Sequence, residues 1–219
     1  MAGMKHDSTG RKKRLSQFFY IISLVFLLFG LVNLAWRVWP TPTDAVTFTI
    51  PSGVLPGAPA DRTYASLADY VLEVTWPRWL RVGQTGTIQM TLGPAVTDEG
   101  AFESTNAQVV LVEPSFVGLV IEPPGRTQTT LAPGQNLDLT WELDGVVKGT
   151  FPGQIILAFG FFDETLGELV QVPVVVVDTS VQVTALWGQG GGLALWFGII
   201  GLVLWGLLFL AGRLVKVKN

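Results

Sequence analysis

The sequence contains no cysteine, and its one histidine is His6. The lack of cysteine excludes disulfides, thiolate metal sites, haem attachment through CxxC and cysteine nucleophiles within these 219 residues. The position of His6 leaves the body of the chain without imidazole bases or histidine metal ligands. These absences predict a protein that is not an enzyme and that holds no metal or other cofactor.

Charged residues are scarce as well, at 14% of the chain, and the mean hydropathy is +0.46. An ordinary soluble domain has about 25% charged residues. The apolar excess comes largely from two uncharged segments, residues 16–36 and 191–212. About 20 apolar helical residues, rising about 1.5 Å each, cross a hydrocarbon core of about 30 Å. The sequence therefore predicts transmembrane helices at residues 16–37 and 191–212.

Basic residues flank both segments on the side of the nearer terminus. They are Lys5, Arg11, Lys12, Lys13 and Arg14 before the first, and Arg213, Lys216 and Lys218 after the second. Because basic flanks stay on the cytoplasmic side, residues 1–15 and 213–219 are predicted to be cytoplasmic tails. The chain would then cross the cytoplasmic (inner) membrane twice, with its middle region extracytoplasmic or periplasmic. This topology accounts for the basic run, so no nucleic-acid partner is expected.

A cleaved signal peptide is the alternative for the first segment, since RKKR before an apolar run is typical of one. The run is longer than the usual core of about 7–15 residues, and it ends in WRVWP rather than in small residues. Tryptophan is enriched at membrane–water interfaces. Trp36, Trp39 and Trp187 are therefore predicted to lie at the membrane interface.

The middle region alternates short strand patterns with turn residues. The predicted strands are residues 70–75, 86–92, 108–113, 118–122, 136–143, 154–162 and 168–177. Alternation is clearest where Leu137, Leu139, Trp141 and Leu143 are separated by polar residues. Seven or eight short strands at this spacing predict an antiparallel β-sandwich at residues 68–183.

Two linkers are predicted to join this sandwich to the helices. Residues 38–67 are rich in Pro, Thr and Gly and are expected to hold one short extended piece at 46–50 and a helical turn near 61–68. Residues 184–190 form a Gly-rich linker.

Three stretches, WLRVGQTGTIQMTL, TLAPGQNLDLTWEL and GTFPGQIILAFGF, give residues 68–178 a resemblance to bacterial immunoglobulin-like domains. The shared order of elements is a strand, a Pro/Gly turn, a strand ending in Trp, and a Gly-x-x-x-Gly turn before the next strand. The cysteine pair of antibody-type domains is missing. The resemblance implies an Ig-like β-sandwich, and it implies no function because this fold serves many.

Small residues in the second apolar segment suggest helix packing. Gly190, Ala194 and Gly198 recur every four residues, and Gly201 lies on a neighbouring face. A stripe of small residues lets another helix approach closely, although a plain lipid-facing helix is the alternative. Asn33 in the first segment is predicted to hydrogen-bond a partner helix, or else interfacial water.

The middle region offers weaker candidates. Trp76 and Trp79, in the sequence WPRW, could contact a partner, but packing in the sandwich core is the favoured interpretation. Two acidic groups could bind calcium, although solvated loop charges are favoured because no EF-hand spacing is present: Asp98, Glu99 and Glu103, and Asp163, Glu164 and Glu168. No pair of acids is singled out for glycoside hydrolysis.

Residues 40–189 carry a net charge of −11. This charge could dock a basic soluble redox carrier, although simple solubility is the favoured interpretation.

These features together predict a non-catalytic accessory or structural subunit of a multi-subunit bacterial membrane complex, which braces outer-facing subunits. A respiratory or photosynthetic electron-transfer complex is favoured by analogy. The expected partners are other membrane subunits and the lipid bilayer, with no small-molecule substrate. The alternatives are a free-standing surface receptor or adhesion module that binds an extracytoplasmic ligand, and a membrane assembly factor.

Overall fold

A computed structural model describes residues 8–50, 70–95, 108–132, 134–163 and 168–217. The chain divides into two compact units. The helical unit consists of Met1–Pro40 and Ala185–Asn219, and the β unit consists of Thr41–Thr184.

Two long helices form the described part of the helical unit. α1 is Ser8–Val38 and α2 is Gly191–Val217. Both are long and apolar enough to cross a membrane, and only 17% of the most apolar stretch of 18 residues in each helix is buried. A core helix of a soluble protein would be mostly buried, so these helices are unlike one. Both helices extend into the predicted tails, where the basic residues are good helix formers.

The described residues of the β unit form ten strands. These are β1 Thr43–Ile50, β2 Tyr70–Pro77, β3 Trp79–Arg81, β4 Gln84–Pro94, β5 Gln108–Phe116, β6 Val120–Glu122, β7 Thr127–Leu131, β8 Leu137–Gly145, β9 Gly149–Asp163 and β10 Glu168–Thr184. Sheet I has the order β1-β2-β4-β8-β6, and sheet II has the order β3-β10-β9-β5-β7.

The two sheets share one apolar core. Period-2 alternation places Ile88, Met90 and Leu92 of β4 at 1% exposure or less, with polar residues of the same strand facing out. Trp141 of β8 is 1% exposed, and its indole Nε1 donates a hydrogen bond to Thr127 Oγ1 at 3.2 Å. The prediction of a mostly β chain in a two-sheet sandwich with an apolar helix at each end is therefore confirmed.

The finer strand predictions need three corrections. Ten strands are observed where seven or eight were predicted, because β3 and β7 are short and gave no clear alternation. The sandwich is not wholly antiparallel, since β3 pairs with β10 in parallel. The predicted strand at 118–122 is shorter, Val120–Glu122, because Gly118 lies in a turn with φ of 86°.

The predicted linker at 38–67 also differs from the structure. β1 pairs with β2 over eight residues, from Thr43 opposite Pro77 to Ile50 opposite Tyr70. It is an edge strand of sheet I, so the β unit begins at Thr41 and not at residue 68. The predicted helical turn near 61–68 lies outside the described residues.

Candidate functional site

The two helices of the helical unit pack on each other in antiparallel orientation. The Ser16 hydroxyl, near the start of α1, donates a hydrogen bond at 3.3 Å to the carbonyl of Gly212, near the end of α2. At the opposite end, the rings of Phe29 and Phe197 meet edge to face at 6.4 Å. Both ends of the pair are therefore closed by direct contacts between the helices.

Small residues line the contact between α1 and α2, which we call the seam. Ser16, Ser23 and Gly30 are buried on α1 at a spacing of seven residues. The buried positions of α2 alternate in steps of three and four where the helix begins: Gly191, Ala194, Gly198 and Gly201. This average spacing of about 3.5 residues is the period that keeps one helix face against a partner along its length.

The seam brings the two backbones into contact. An added Cβ at Gly201 would lie 2.9 Å from Gly30 Cα and 3.0 Å from Gly30 N. An added Cβ at Gly30 would lie 3.0 Å from the Gly198 carbonyl oxygen. Only glycine fits at such distances, because the obstructing atoms are backbone and cannot rotate away.

The structure brings three of the four predicted packing residues of α2 into the seam. Ala194 is fully buried, and Gly198 and Gly201 face α1. Gly190 lies before the helix, where its carbonyl accepts a 3.2 Å hydrogen bond from the Ala194 amide. The sequence analysis did not identify Gly30, Ser16 or Ser23, although their seven-residue spacing was the available signal.

Asn33 is fully buried in the helical unit. Its Nδ2 donates a 2.8 Å hydrogen bond to the Phe29 carbonyl of its own helix. Within the described part of the chain, Oδ1 has no hydrogen-bond partner. The expected bond from Asn33 to another helix is therefore not seen.

Trp187 lies in the turn that leads into α2. The turn is closed by a 2.9 Å hydrogen bond from the Gln189 amide to the Leu186 carbonyl, and φ is positive at Trp187 (51°) and Gly188 (78°). A positive φ is unfavourable for a bulky residue. The Trp187 ring stacks on Phe29 with centroids 5.3 Å apart and planes 5° apart, and this contact fixes the turn against α1. Trp187 and Trp39 are 59% and 64% exposed, and Trp36 is half-buried.

In the β unit, the two candidate tryptophans have different environments. Trp76 is 8% exposed and belongs to the core. Trp79 is half-buried, and the Arg81 guanidinium lies 4.8 Å from the centre of its ring, a cation–π distance. Arg81 is 2% exposed and donates a 3.0 Å hydrogen bond from Nη1 to Gln84 Oε1. Trp76 is therefore a packing residue, and Trp79 helps to enclose a buried cation.

The outward face of sheet I is acidic. Hydroxyl groups of Thr85 and Thr91 donate hydrogen bonds to Asp144 at 2.5 Å and to Asp138 at 2.8 Å. Glu122 of β6 is directly opposite Glu142 of β8, a pairing of like charges that destabilises a sheet. No lysine or arginine occurs in the five described strands of this sheet. We call this surface the acidic face.

The predicted calcium groups cannot be located in full. Asp98, Glu99, Glu103 and Glu164 lie outside the described residues, and the side chains of Asp163 and Glu168 are not described. Within the described ranges, no three or more carboxylate or histidine side chains form a group that could hold a metal ion.

Tyr70 has a perturbed pKa. The side chain is 4% exposed at the end of β2, and burial raises the pKa of its phenol above the usual 10.0. A hydrogen bond with the backbone of Gly134 opposes part of this shift. Because Tyr70 belongs to the apolar core, we assign its shift to packing.

The class that these features define is a two-sheet β-sandwich with an apolar helix on each side in sequence, the two helices forming one close-packed pair. No protein-family model matches the sequence, and no curated protein matches it.

Some solved structures are similar in part. The CARDB domain of the PF1109 protein from Pyrococcus furiosus, solved with di-metal ions, is 11% identical, with a TM-score of 0.30 over 65% of this chain and 89% of that one. E. coli alpha-2-macroglobulin is 15% identical, with a TM-score of 0.34 over 53% of this chain but only 8% of its own length. A PapD-like domain of human CEP192 is 9% identical, with a TM-score of 0.34 over 62% of this chain and 99% of that one. At these values, function must be argued from the chain's own residues.

Proposed function

We propose that this chain is a two-pass membrane protein that serves as a non-catalytic accessory subunit of a larger membrane complex. Its β unit, Ig-like in type, would stand on the outer side and brace the partner subunits there. The observation that carries the membrane part of the proposal is the arrangement of residue sizes in the helix pair.

Many large apolar side chains of the helix pair face outward, and the fully buried positions of its two helices are mostly small residues. Among the residues of α1 and α2 whose side chains are described, nineteen large apolar ones are exposed, including Ile21 at 64%, Trp196 at 64% and Leu207 at 60%. In water, each would forgo a part of the about 1.5–3 kcal/mol that full burial of such a side chain provides. In lipid, exposure of such side chains carries no penalty, and close packing of small residues is what holds helices together.

The length of the apolar stretch supports the same interpretation. Trp36 follows Arg14 by 22 helical positions, or about 33 Å along α1. This length matches a hydrocarbon core of about 30 Å, with a cation at one boundary and an indole at the other. The antiparallel seam places Arg213 of α2 at the same end as Arg14, which supports both termini being cytoplasmic.

The lack of cysteine allows a clean topology test. In right-side-out vesicles, a membrane-impermeant maleimide should label a Thr87→Cys variant, whose site is exposed on β4. It should label a Ser8→Cys variant, at the start of α1, only after detergent is added. Labelling of both sites without detergent, or the reverse pattern, would contradict the proposed topology.

The seam is already filled by the chain's own two helices. Gly198 and Gly201, the predicted packing glycines inside α2, already contact α1. The helix pair is therefore a preformed unit, and partner subunits would contact its large apolar side chains and the β unit. Two membrane attachments also fix the height of a small domain better than one, which suits a bracing role.

Purification of the tagged chain from native membranes in mild detergent tests the accessory role. Co-purification with a multi-subunit enzyme at fixed stoichiometry, measured by mass spectrometry, would support it and name the complex. Recovery of the chain alone at several detergent strengths would contradict it. Sub-stoichiometric association that is lost from the mature complex would instead indicate an assembly factor.

The acidic face favours a second candidate, a free-standing surface module that binds a cationic extracytoplasmic ligand. The opposition of Glu122 and Glu142 has a cost in stability that a cationic ligand would relieve. If the chain is recovered alone, binding of a basic protein that weakens with salt and with Glu142→Gln, but not with Glu113→Gln on sheet II, would support this candidate.

A further inference from the structure

The helix pair concentrates positive charge at one end. Arg14 and Arg213 are both exposed, and the contact between Ser16 and Gly212 places them at the same end of the pair. The helical segments beyond them add Arg11, Lys12, Lys13 and Lys216 at that end. Neither helix contains an acidic residue, so no carboxylate within them offsets this charge. We call this region the basic end.

Exposed apolar side chains begin directly beside the basic end. Leu15 and Phe18 of α1 are 46% and 56% exposed, and Leu210 and Leu214 of α2 are 55% and 67% exposed. Apart from the exposed Gln17, the surface therefore changes from cationic to apolar within one or two helical turns of each arginine. A ligand that fits both parts must combine a negative head with a hydrocarbon tail.

We propose that the basic end is a binding surface for anionic phospholipids, with the phosphate group at Arg14 and Arg213 and the acyl chains along the adjacent apolar side chains. The inference rests on the proposed membrane insertion and extends it from anchoring to lipid selectivity. A free phosphate or a nucleic acid would satisfy the arginines and leave the apolar surface uncovered. An anionic diacyl lipid covers both.

Spin-labelled lipids test this proposal with the full chain in phosphatidylcholine vesicles. A trace of spin-labelled phosphatidylglycerol or spin-labelled phosphatidylcholine is added, and the motionally restricted fraction is measured by electron paramagnetic resonance. The restricted fraction should be larger for the anionic label. Each cation near an anionic surface is worth about fivefold in association, so an Arg14→Gln/Arg213→Gln variant should lose a large part of this preference.

Arg37→Gln is the matched control, because it removes an exposed arginine of α1 at the opposite end of the helix. It should keep the preference for phosphatidylglycerol. Because the control removes one charge and the double variant removes two, a loss in the control of half or more of that in the double variant would overturn the proposal, since the preference would then follow net charge alone. An unchanged preference in the double variant would overturn it as well.

Two further measurements do not depend on the variants. At about 1 M salt, where the screening length is about 3 Å, the preference of the unmodified chain should largely disappear. Millimolar glycerol phosphate, which carries the head-group chemistry without acyl chains, should not displace the anionic label, and displacement would indicate a phosphate site rather than a lipid site. Equal restriction of both labels would overturn only the lipid inference, whereas no restricted component for either label would count against membrane insertion itself.

Discussion

Replacing Gly201 with alanine should weaken the helix pair. The new Cβ would lie 2.9 Å from Gly30 Cα, 3.0 Å from Gly30 N and 3.1 Å from the Phe26 carbonyl oxygen. These are backbone atoms, so no side-chain rotation can relieve the overlap and the helices must separate. Gly206→Ala, on the same helix, is the matched control because an added Cβ there has no atom within 4 Å.

The size of the effect follows from two opposing contributions. Overpacking costs about 1–3 kcal/mol when the surroundings cannot adjust. Alanine also gains up to about 1 kcal/mol over glycine in helix propensity. Gly201→Ala carries both contributions and Gly206→Ala only the second. The difference between the two variants therefore isolates the steric cost, which we expect to be about 1–3 kcal/mol in favour of Gly206→Ala.

A pair of introduced cysteines provides the assay. A Cβ at Gly212 would lie 3.3 Å from Phe19 Cβ, near the separation of about 3.5–4.5 Å found in disulfides. In the Phe19→Cys/Gly212→Cys background, helix pairing is titrated with increasing SDS, and a brief oxidant pulse reports the paired fraction. Gly201→Ala should move the midpoint to lower SDS, and Gly206→Ala should leave it unchanged or raise it. Equal midpoints for the two variants would refute the close contact of Gly30 with Gly201.

Three further predictions concern the seam and the β unit. The Phe19→Cys/Gly212→Cys pair should form an intrachain disulfide on mild oxidation, whereas the Phe19→Cys/Gly206→Cys pair should not. Non-reducing electrophoresis distinguishes the two, and cross-linking of both pairs would contradict the observed contact between α1 and α2. Gly153→Ala should destabilise the β unit by about 1–3 kcal/mol, because its Cβ would lie 2.3 Å from Phe116 Cδ1. The control Thr87→Ala, on an exposed face, should change the stability by less than about 0.5 kcal/mol. Thermal unfolding followed by near-UV circular dichroism measures both variants. The contribution of Tyr70 to the stability of the β unit should be constant below about pH 10 and fall above it, because the unfolded chain releases the Tyr70 proton before the folded chain does. Tyr70→Phe should remove that part of the alkaline loss, and an unchanged pH profile in this variant would contradict the assignment.

The predictable parts of the fold were those with a local signal. The apolar segments that became α1 and α2 were evident from length and lack of charge, and the alternation around Trp141 gave β8 directly. β1 was assigned to a linker because its flanks are rich in Pro and Thr, and its identity as a strand depends on pairing with β2, which begins 20 residues later. β3 and β7, of three and five residues, are likewise defined by their neighbours.

Only the α2 side of the seam could be predicted, because only that side carries a local signal. The stripe of Ala194, Gly198 and Gly201 was visible on α2, but the helix that it faces was not. On α1, Ser16, Ser23 and Gly30 are ordinary residues for an apolar helix, and their spacing gains meaning only beside the glycines of α2. A contact surface formed by two helices that lie far apart in the sequence is a property of the pair, which neither helix shows alone.

Substitutions on the outward surface of the helix pair and substitutions in the seam should both reduce association with a complex, but for different reasons. If partner subunits bind the helix pair, they meet side chains such as Val203 and Leu207, which are 56% and 60% exposed. Replacing these with alanine should weaken association with the complex while leaving the cross-link between Phe19→Cys and Gly212→Cys intact. Gly201→Ala should weaken the helix pair first and any association only as a consequence. If the outward residues can all be replaced without loss of association, the partner contacts of the proposed accessory subunit must lie on the β unit, and the helices serve as an anchor.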